Sequence, residues 1–326
     1  MIDQCGRNID YLRVSVTDRC NLRCIYCMPK EGLRLVDRCE ILSREEIIRI
    51  CKVMAQLGIK KIKLTGGEPL VRQGVPSLVE NLKALPGIEK VTLTTNGSLL
   101  APQMELLARA GLDGLNISLD TLDAACFQKI TRRDELSRVK EGIKAALSFP
   151  KISVKINCVP LGLEEQDLCE IAAIGKDAPI HVRFIEMMPI GFGREFRGMS
   201  EEEVVSLLEK RFGKMTPYTG ESLGNGPCHY YNIDGFTGKI GFISAISHKF
   251  CRECNRIRLT SQGYLKTCLQ YTAGRDLRRI LREGGSDEDL KKEILAALKE
   301  KPVGHEFLEK EKKDDTENLC MSQIGG

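Results

Sequence analysis

The sequence contains no tryptophan, and aromatic residues make up only 5 % of it. Such scarcity leaves few platforms on which single-stranded nucleic acid could stack, and nucleic acid is not an expected partner. Long apolar runs are missing too. The longest charge-free stretch, Val91 to Met104, is too short to span a bilayer and contains Asn96, Pro102 and Gln103. The N-terminal MIDQCGRNIDYLR lacks an apolar h-region, so a cytoplasmic location without membrane attachment is expected. Neither sign of charge dominates: 49 basic against 45 acidic residues leave +4, which describes a mixed, solvated surface. There is no internal repeat and no low-complexity segment. About half of the chain is apolar, which excludes disordered and fibrous classes, and 326 residues suit two domains or one large α/β domain with an appendage.

What the sequence does have is cysteine in an uneven distribution. Of 14 cysteines, six fall into two tight groups, Cys20/Cys24/Cys27 and Cys251/Cys254/Cys268, and eight are scattered. That density is far below a disulfide scaffold, and without a secretory signal the grouped thiols read as metal ligands. The scattered ones read as small buried apolar residues.

From Tyr11 to about Met188, β-rich runs alternate with amphipathic helical patterns. Strands are predicted at 11–17, 61–65, 91–95, 115–119, 153–159 and 180–186. Helices include 43–57, opened by the capping box Ser43-Arg44-Glu45-Glu46, 136–148, and one starting at Ser200 and stopping near Gly213. This alternation predicts a parallel sheet covered by helices, and six units fall short of the eight that close a barrel. Six glycines between Gly213 and Gly238 mark a boundary, dividing a core at 1–213 from a C-terminal segment at 214–326. That segment carries β-like runs at 240–246 and 256–260 and helices near 275–282 and 287–299. The expected fold is therefore α/β, an incomplete (β/α)6 barrel with an α+β segment covering its open mouth.

Side chains alternate faces along a strand, and each predicted strand has one apolar and one polar face. The polar sets are Arg13/Ser15/Thr17, Lys61/Lys63/Thr65, Thr92/Thr94/Asn96, Asn116/Ser118/Asp120, Lys155/Asn157 and His181/Arg183. If the apolar faces pack on helices, the polar ones line a lumen where Arg13, Lys61, Lys63, Lys155 and Arg183 converge, offset mainly by Asp120. Crowded cations call for an anion, most simply a nucleotide polyphosphate. The plainer alternative is a set of solvated strands with scattered charges.

Cys20-Asn21-Leu22-Arg23-Cys24-Ile25-Tyr26-Cys27 directly follows the first strand, where parallel-sheet enzymes place their sites. Three thiolates suit a [4Fe–4S] cluster with one iron left open, whereas structural zinc wants four ligands. A zinc knuckle stays open on spacing alone. For the second triad, zinc and iron–sulfur weigh equally, zinc recruiting His248 or Cys228 as fourth ligand.

CNLRCIYC, followed by Lys63-Leu64-Thr65-Gly66-Gly67-Glu68-Pro69, resembles the radical S-adenosylmethionine (SAM) superfamily. With LTTNG, NISLD, RFIEMMPIG, FCRECNRIRLTSQGYLKTCL and the terminal IGG, the similarity spans nearly the whole chain. Within that superfamily the chain resembles the GTP 3′,8-cyclase family, which opens molybdenum-cofactor biosynthesis. The resemblance implies that Cys20, Cys24 and Cys27 hold the cluster that cleaves SAM. Tyr26, Gly67, Ser118 and Met188 match SAM contacts. It further implies that Cys251, Cys254 and Cys268 hold a second [4Fe–4S] cluster binding guanine, and that Arg13, Lys63, Thr94, Lys155, Arg183, Arg256, Ile257 and Arg258 contact GTP. Lys63 stands where the family usually has arginine; lysine keeps the charge but loses the planar fork of a bidentate phosphate contact, and both Lys61 and Lys63 are candidates for the main phosphate ligand. Gly325 and Gly326 read on their own as a frayed tail; the resemblance implies a tail reaching into the site.

The implied reaction is radical cyclisation of GTP to (8S)-3′,8-cyclo-7,8-dihydro-GTP, a carbon–carbon lyase-class step beginning with hydrogen abstraction from C3′. The implied partners are GTP, the cyclic pyranopterin monophosphate synthase acting next, and an electron donor of flavodoxin or ferredoxin type; a homodimer is left open. Rival readings are a peptide-modifying radical SAM maturase, expected to lack the Arg256/Arg258 pair, and a zinc-dependent nucleic-acid-binding protein.

Overall fold

Alternating β-branched runs and capped helices build a repeating β/α sheet. The computed structural model describes residues 1–307 and 316–325, and Gly326 lies outside the described residues. Strands β1 (Tyr11–Ser15), β2 (Lys61–Thr65), β3 (Lys90–Thr95), β4 (Gly114–Ser118), β5 (Ser153–Cys158) and β6 (Ile180–Ile185) lie side by side in chain order, all parallel. Their bounds fall within two residues of the predicted ones. Between them run α1 (Arg44–Gln56), α2 (Val75–Lys83), α3 (Met104–Arg109), α4 (Ala124–Thr131), α5 (Leu136–Leu147) and α6 (Leu168–Asp177), followed by α7 (Glu201–Phe212). Ser43 and Ser200 each close the capping box read from the sequence, satisfying backbone N–H groups that the first helical turn leaves unpaired. Gly213, at φ +86°, ends α7.

Beyond that glycine come β7 (Thr216–Pro217), β8 (His229–Asn232), β9 (Ile240–Ile243), β10 (Arg256–Leu259), β11 (Tyr264–Lys266) and β12 (Gly274–Asp276), then α8 (Leu277–Arg282), α9 (Asp287–Lys299) and α10 (Met321–Ile324). These strands continue the same sheet instead of merely covering it. β10 pairs in parallel with β1, β9 in parallel with β6, and the order is β12-β11-β10-β1-β2-β3-β4-β5-β6-β9-β8-β7. Both edges of the six-stranded core thereby find partners for backbone groups that would otherwise be exposed.

The predicted facing holds. Leu12, Val14, Ile62, Leu64, Leu115, Ile117, Ile156 and Val182 are fully buried in one core on the helical side. Arg13, Lys63, Thr94, Asn116, Lys155 and Arg183, at alternate positions, lie on the other face. Among the described residues no helix is long and apolar enough to cross a membrane.

Candidate active site

The carboxyl ends of the strands open into one cavity of about 320 Å³, a size within the roughly 300–1,000 Å³ range of ligand pockets. Both cysteine triads line it: Cys20, Cys24 and Cys27 from the turn after β1, Cys251 and Cys254 from the turn before β10, and Cys268 after β11.

In the first triad burial dominates. It pushes the Cys20 thiol up to about 12, with Glu68 and Cys27 adding to the rise, and drives Cys24 well above the ordinary thiol value. Cys27 is raised for the same reason. Three half-buried thiols raised in this way give up their protons only to a strongly bound cation. No disulfide joins them. The second triad is electrostatically different: burial still raises Cys254, but Lys301 and Arg256 outweigh it and pull the thiol down to about 7.

Each triad thus presents three thiols to one cavity, a donor set that fits a [4Fe–4S] cluster with one iron facing the interior. Neither fourth ligand considered for zinc at the second triad stands beside it. His248 faces Glu201 at 3.4 Å, and Cys228 lies beside Arg183 and Lys155, so neither completes the second triad. Among the described residues no three His, Cys, Asp or Glu side chains are gathered to hold a single metal ion.

The residues matched to SAM contacts all line the cavity: Tyr26, Gly67, Ser118 and Met188. Tyr26 donates its hydroxyl to Asp120 Oδ2 at 2.7 Å, and Val159 N–H donates to Asp120 Oδ1 at 2.8 Å. Burial raises the Asp120 carboxyl to about 6 in spite of these bonds. Asp120 therefore serves Tyr26 and the β5 end; it is not the counter-charge of the lumen cations. Gly67 is required by the fold itself, because a Cβ there would stand 2.4 Å from the Arg19 carbonyl oxygen. Gly67 N–H donates to Thr17 O and Glu68 N–H to Arg19 O, at 2.8 and 2.7 Å, locking the GGEP turn onto the chain leading to Cys20.

The cations are arranged by register. Arg258, Arg13 and Lys63 lie level on β10, β1 and β2, and Asn116, Lys155 and His181 on β4, β5 and β6. Arg13, Arg256 and Arg258 line the cavity, as does Thr94. Lys63, Lys155 and Arg183 do not; each sits two residues before a lining residue (Thr65, Asn157 and Ile185), beneath the cavity floor. Lys63 is held well below the ordinary lysine value by burial, with Arg183, Arg13 and Lys155 adding repulsion. Burial and Arg183 lower Lys155 to about 7. Arg183 donates to Asn157 Oδ1 at 2.9 Å from Nε. Among the described residues no carboxylate pairs with Lys63, Lys155, Arg183 or Arg258. Lys61 departs from the expected ring, because it is bound to Asp10 at 2.8 Å at the strand's amino end. Ile257 is wholly buried in the helical-side core, its side chain facing away from Arg256 and Arg258. Arg256 stacks over Phe250, 4.8 Å from the ring centroid.

The C-terminal turn enters the lumen. Gly325 adopts φ +88°, a Cβ on it would stand 2.9 Å from Ser15 Cβ, and its carbonyl oxygen accepts from Arg258. α10 brings Ser322 beside Cys27. Glu68 escaped the sequence reading. It is fully buried, accepts from Leu70 N–H, Thr95 Oγ1 and Asn96 N–H at 2.9, 2.7 and 2.6 Å, and is raised to about 7 by burial. Arg7, Lys301 and His305, which also line the cavity, were likewise missed.

Profiles of two families match the chain: the radical SAM superfamily over residues 14–173, and Molybdenum Cofactor Synthesis C over residues 180–307. A GTP 3′,8-cyclase of Clostridium perfringens is 44 % identical over 328 residues, covering all of both chains. The chain belongs to the GTP 3′,8-cyclase family. Another member, from Heliobacterium modesticaldum, is 46 % identical over 330 residues and all of both chains. Molybdenum cofactor biosynthesis protein 1 of Dictyostelium discoideum is 40 % identical, over 94 % of this chain and 49 % of its own. Among solved structures, Streptococcus suis SuiB bound to S-adenosylmethionine superposes with a TM-score of 0.64 at 15 % identity, over 91 % of this chain and 67 % of that one. At that identity the likeness concerns the fold, which is that of radical SAM enzymes.

Proposed function

We propose that this protein cyclises GTP between ribose C3′ and guanine C8, giving (8S)-3′,8-cyclo-7,8-dihydro-GTP for molybdenum-cofactor biosynthesis. One observation carries the reading: two cysteine triads line a single cavity together with Arg13, Arg256 and Arg258, with further cations beneath its floor. A [4Fe–4S] cluster on Cys20, Cys24 and Cys27 supplies, when bound, the electron for reductive cleavage of SAM, the family's source of a hydrogen-abstracting radical.

The chain's own residues orient and enclose. Gly67, Ser118 and Met188 border the SAM side, and Tyr26, fixed by Asp120, closes it next to Cys24 and Cys27. Arg13, Lys63, Lys155 and Arg183 take the triphosphate, whose negative charge relieves their mutual repulsion. Arg256 and Arg258 stand between that ring and the second triad, where an open iron of a second [4Fe–4S] cluster on Cys251, Cys254 and Cys268 would hold the base. Ile257 has only its backbone to offer. Between these anchors C3′ and C8 are held in register, and misplacement by about 1 Å can cost 10²-fold in rate. The product passes to a cyclic pyranopterin monophosphate synthase, and a flavodoxin- or ferredoxin-type protein supplies electrons.

Anaerobic reconstitution with iron and sulfide, followed by incubation with GTP, SAM and reductant, tests this. The expected result is one cyclised nucleotide with 5′-deoxyadenosine; absence of 5′-deoxyadenosine overturns the radical reading.

A further inference from the structure

Two lysines are almost completely buried, and they are neutralised differently. Lys266, 1 % exposed, is paired with Glu317. Lys301, 2 % exposed, has no carboxylate partner among the described residues. Its Nζ instead donates to Cys254 Sγ at 3.6 Å, to the Arg256 carbonyl at 3.0 Å and to the Thr267 carbonyl. A buried ammonium needs a counter-charge, since desolvation disfavours it when it stands alone. Of the three groups to which Nζ donates, only the Cys254 sulfur can carry a negative charge.

Lys301 also belongs to a strap along the second triad. His305 N–H donates to Cys251 Sγ at 3.4 Å, so residues 301–305 reach two of the three sulfurs. The strap is tied to the N-terminal turn. Arg7 donates to the carbonyls of Pro302, Val303 and Cys251 at 2.7, 3.0 and 2.9 Å, and Asp3 holds Arg7 at 2.6 Å. Gln4 donates to the Lys301 carbonyl at 2.9 Å. The ammonium is therefore placed by covalent and hydrogen-bonded anchors on both sides.

We propose that Lys301 is the counter-ion of the second cysteine triad, a positioning residue whose fixed charge at Cys254 sets the reduction potential of the cluster bound there. The proposal rests on the two-cluster reading above. Hydrogen bonds and positive charge at cluster sulfurs favour the reduced, more negative state, so they raise the potential. By donating to Arg256 and Thr267 as well, the same ammonium fixes the frame between Cys254 and Cys268.

The test is a potentiometric titration of reconstituted holoprotein, followed by electron paramagnetic resonance, on the parent, Lys301→Met and Lys301→Arg. Lys301→Met is expected to shift the second cluster to a more negative potential and leave the first in place, whereas Lys301→Arg, which keeps the charge, stays near the parent. Loss of second-cluster iron in Lys301→Met alone, with Lys301→Arg fully loaded, also supports the proposal. Full iron with an unmoved potential in Lys301→Met overturns it, as does an equal shift in both variants. A parent that loads only one cluster overturns the two-cluster reading itself, a different result that iron content reveals before any variant is made.

Discussion

Arg258 donates from Nη1 to the carbonyl oxygen of Gly325 at 2.6 Å, tying the C-terminal turn to β10, the strand beside the one that carries Ser15. A charge-assisted hydrogen bond of this kind contributes about 1.5–3 kcal/mol. Gly325 can accept it only in a left-handed conformation with no side chain, because Ser15 stands where a Cβ would go.

Gly325→Ala is therefore expected to expel the turn from the lumen, and Arg258→Ala to loosen it. Both should leave cluster iron unchanged, lower the yield of cyclised nucleotide and speed hydrogen exchange in residues 316–325. Exchange rates equal to the parent's in both variants would show that the contact does not hold the turn.

Arg183 lies beneath the cavity floor, held by Asn157 and facing no carboxylate. Arg183→Ala should weaken GTP binding by about 1–3 kcal/mol, read by calorimetry on the reconstituted protein. GMP should bind the parent far more weakly than GTP. Equal affinity for the two nucleotides would contradict a role for the ring in polyphosphate binding.

Lys155 provides a pH signature. Burial and Arg183 hold it down to about 7, so without an anion it is largely neutral at pH 8. A bound polyphosphate favours the charged form, and binding at pH 8 should then take up a proton. Affinity should be flat below about pH 7 and fall above it, by at most about tenfold per pH unit for one linked proton. Calorimetry at pH 8 in buffers of different ionisation enthalpy measures the uptake, which Lys155→Met should diminish. No dependence on buffer in the parent would count against the assignment.

The two triads should fail in different ways. Cys24→Ser is expected to abolish SAM cleavage while the second triad still binds iron. Cys254→Ser should keep slow, uncoupled formation of 5′-deoxyadenosine and make no cyclised nucleotide, and Arg256→Ala should resemble it. Near-parental product from Cys254→Ser would make the second triad structural.

Much of this arrangement was legible in the chain because period-two alternation is a local signal. Arg13, Lys63, Lys155 and Arg183 could be assigned to one face before any fold was known, and the capping serines fixed the helix starts. The pairing of β9 and β10 with β6 and β1 was not legible, since edge pairing joins residues far apart in sequence and no local pattern encodes it. For the same reason Lys61 was misplaced: its partner Asp10 lies at the amino end of the neighbouring strand. Ile257 was carried along by its arginine neighbours although alternation alone turns it away. Lys301 gave no sequence signal, being one lysine in the Lys-Pro that follows α9, and only the fold brings it to Cys254. Glu68 sat inside the GGEP motif yet was passed over, because its burial depends on Thr95 and Asn96 from the next strand.

The central claim is that the radical source and the ribose share this one cavity. GTP deuterated at C3′ tests it most directly, by mass spectrometry of the 5′-deoxyadenosine formed in a single turnover. Deuterium in 5′-deoxyadenosine, with its loss from the cyclised nucleotide, is the predicted result. Unlabelled 5′-deoxyadenosine alongside a nucleotide that keeps its C3′ deuterium would contradict the account.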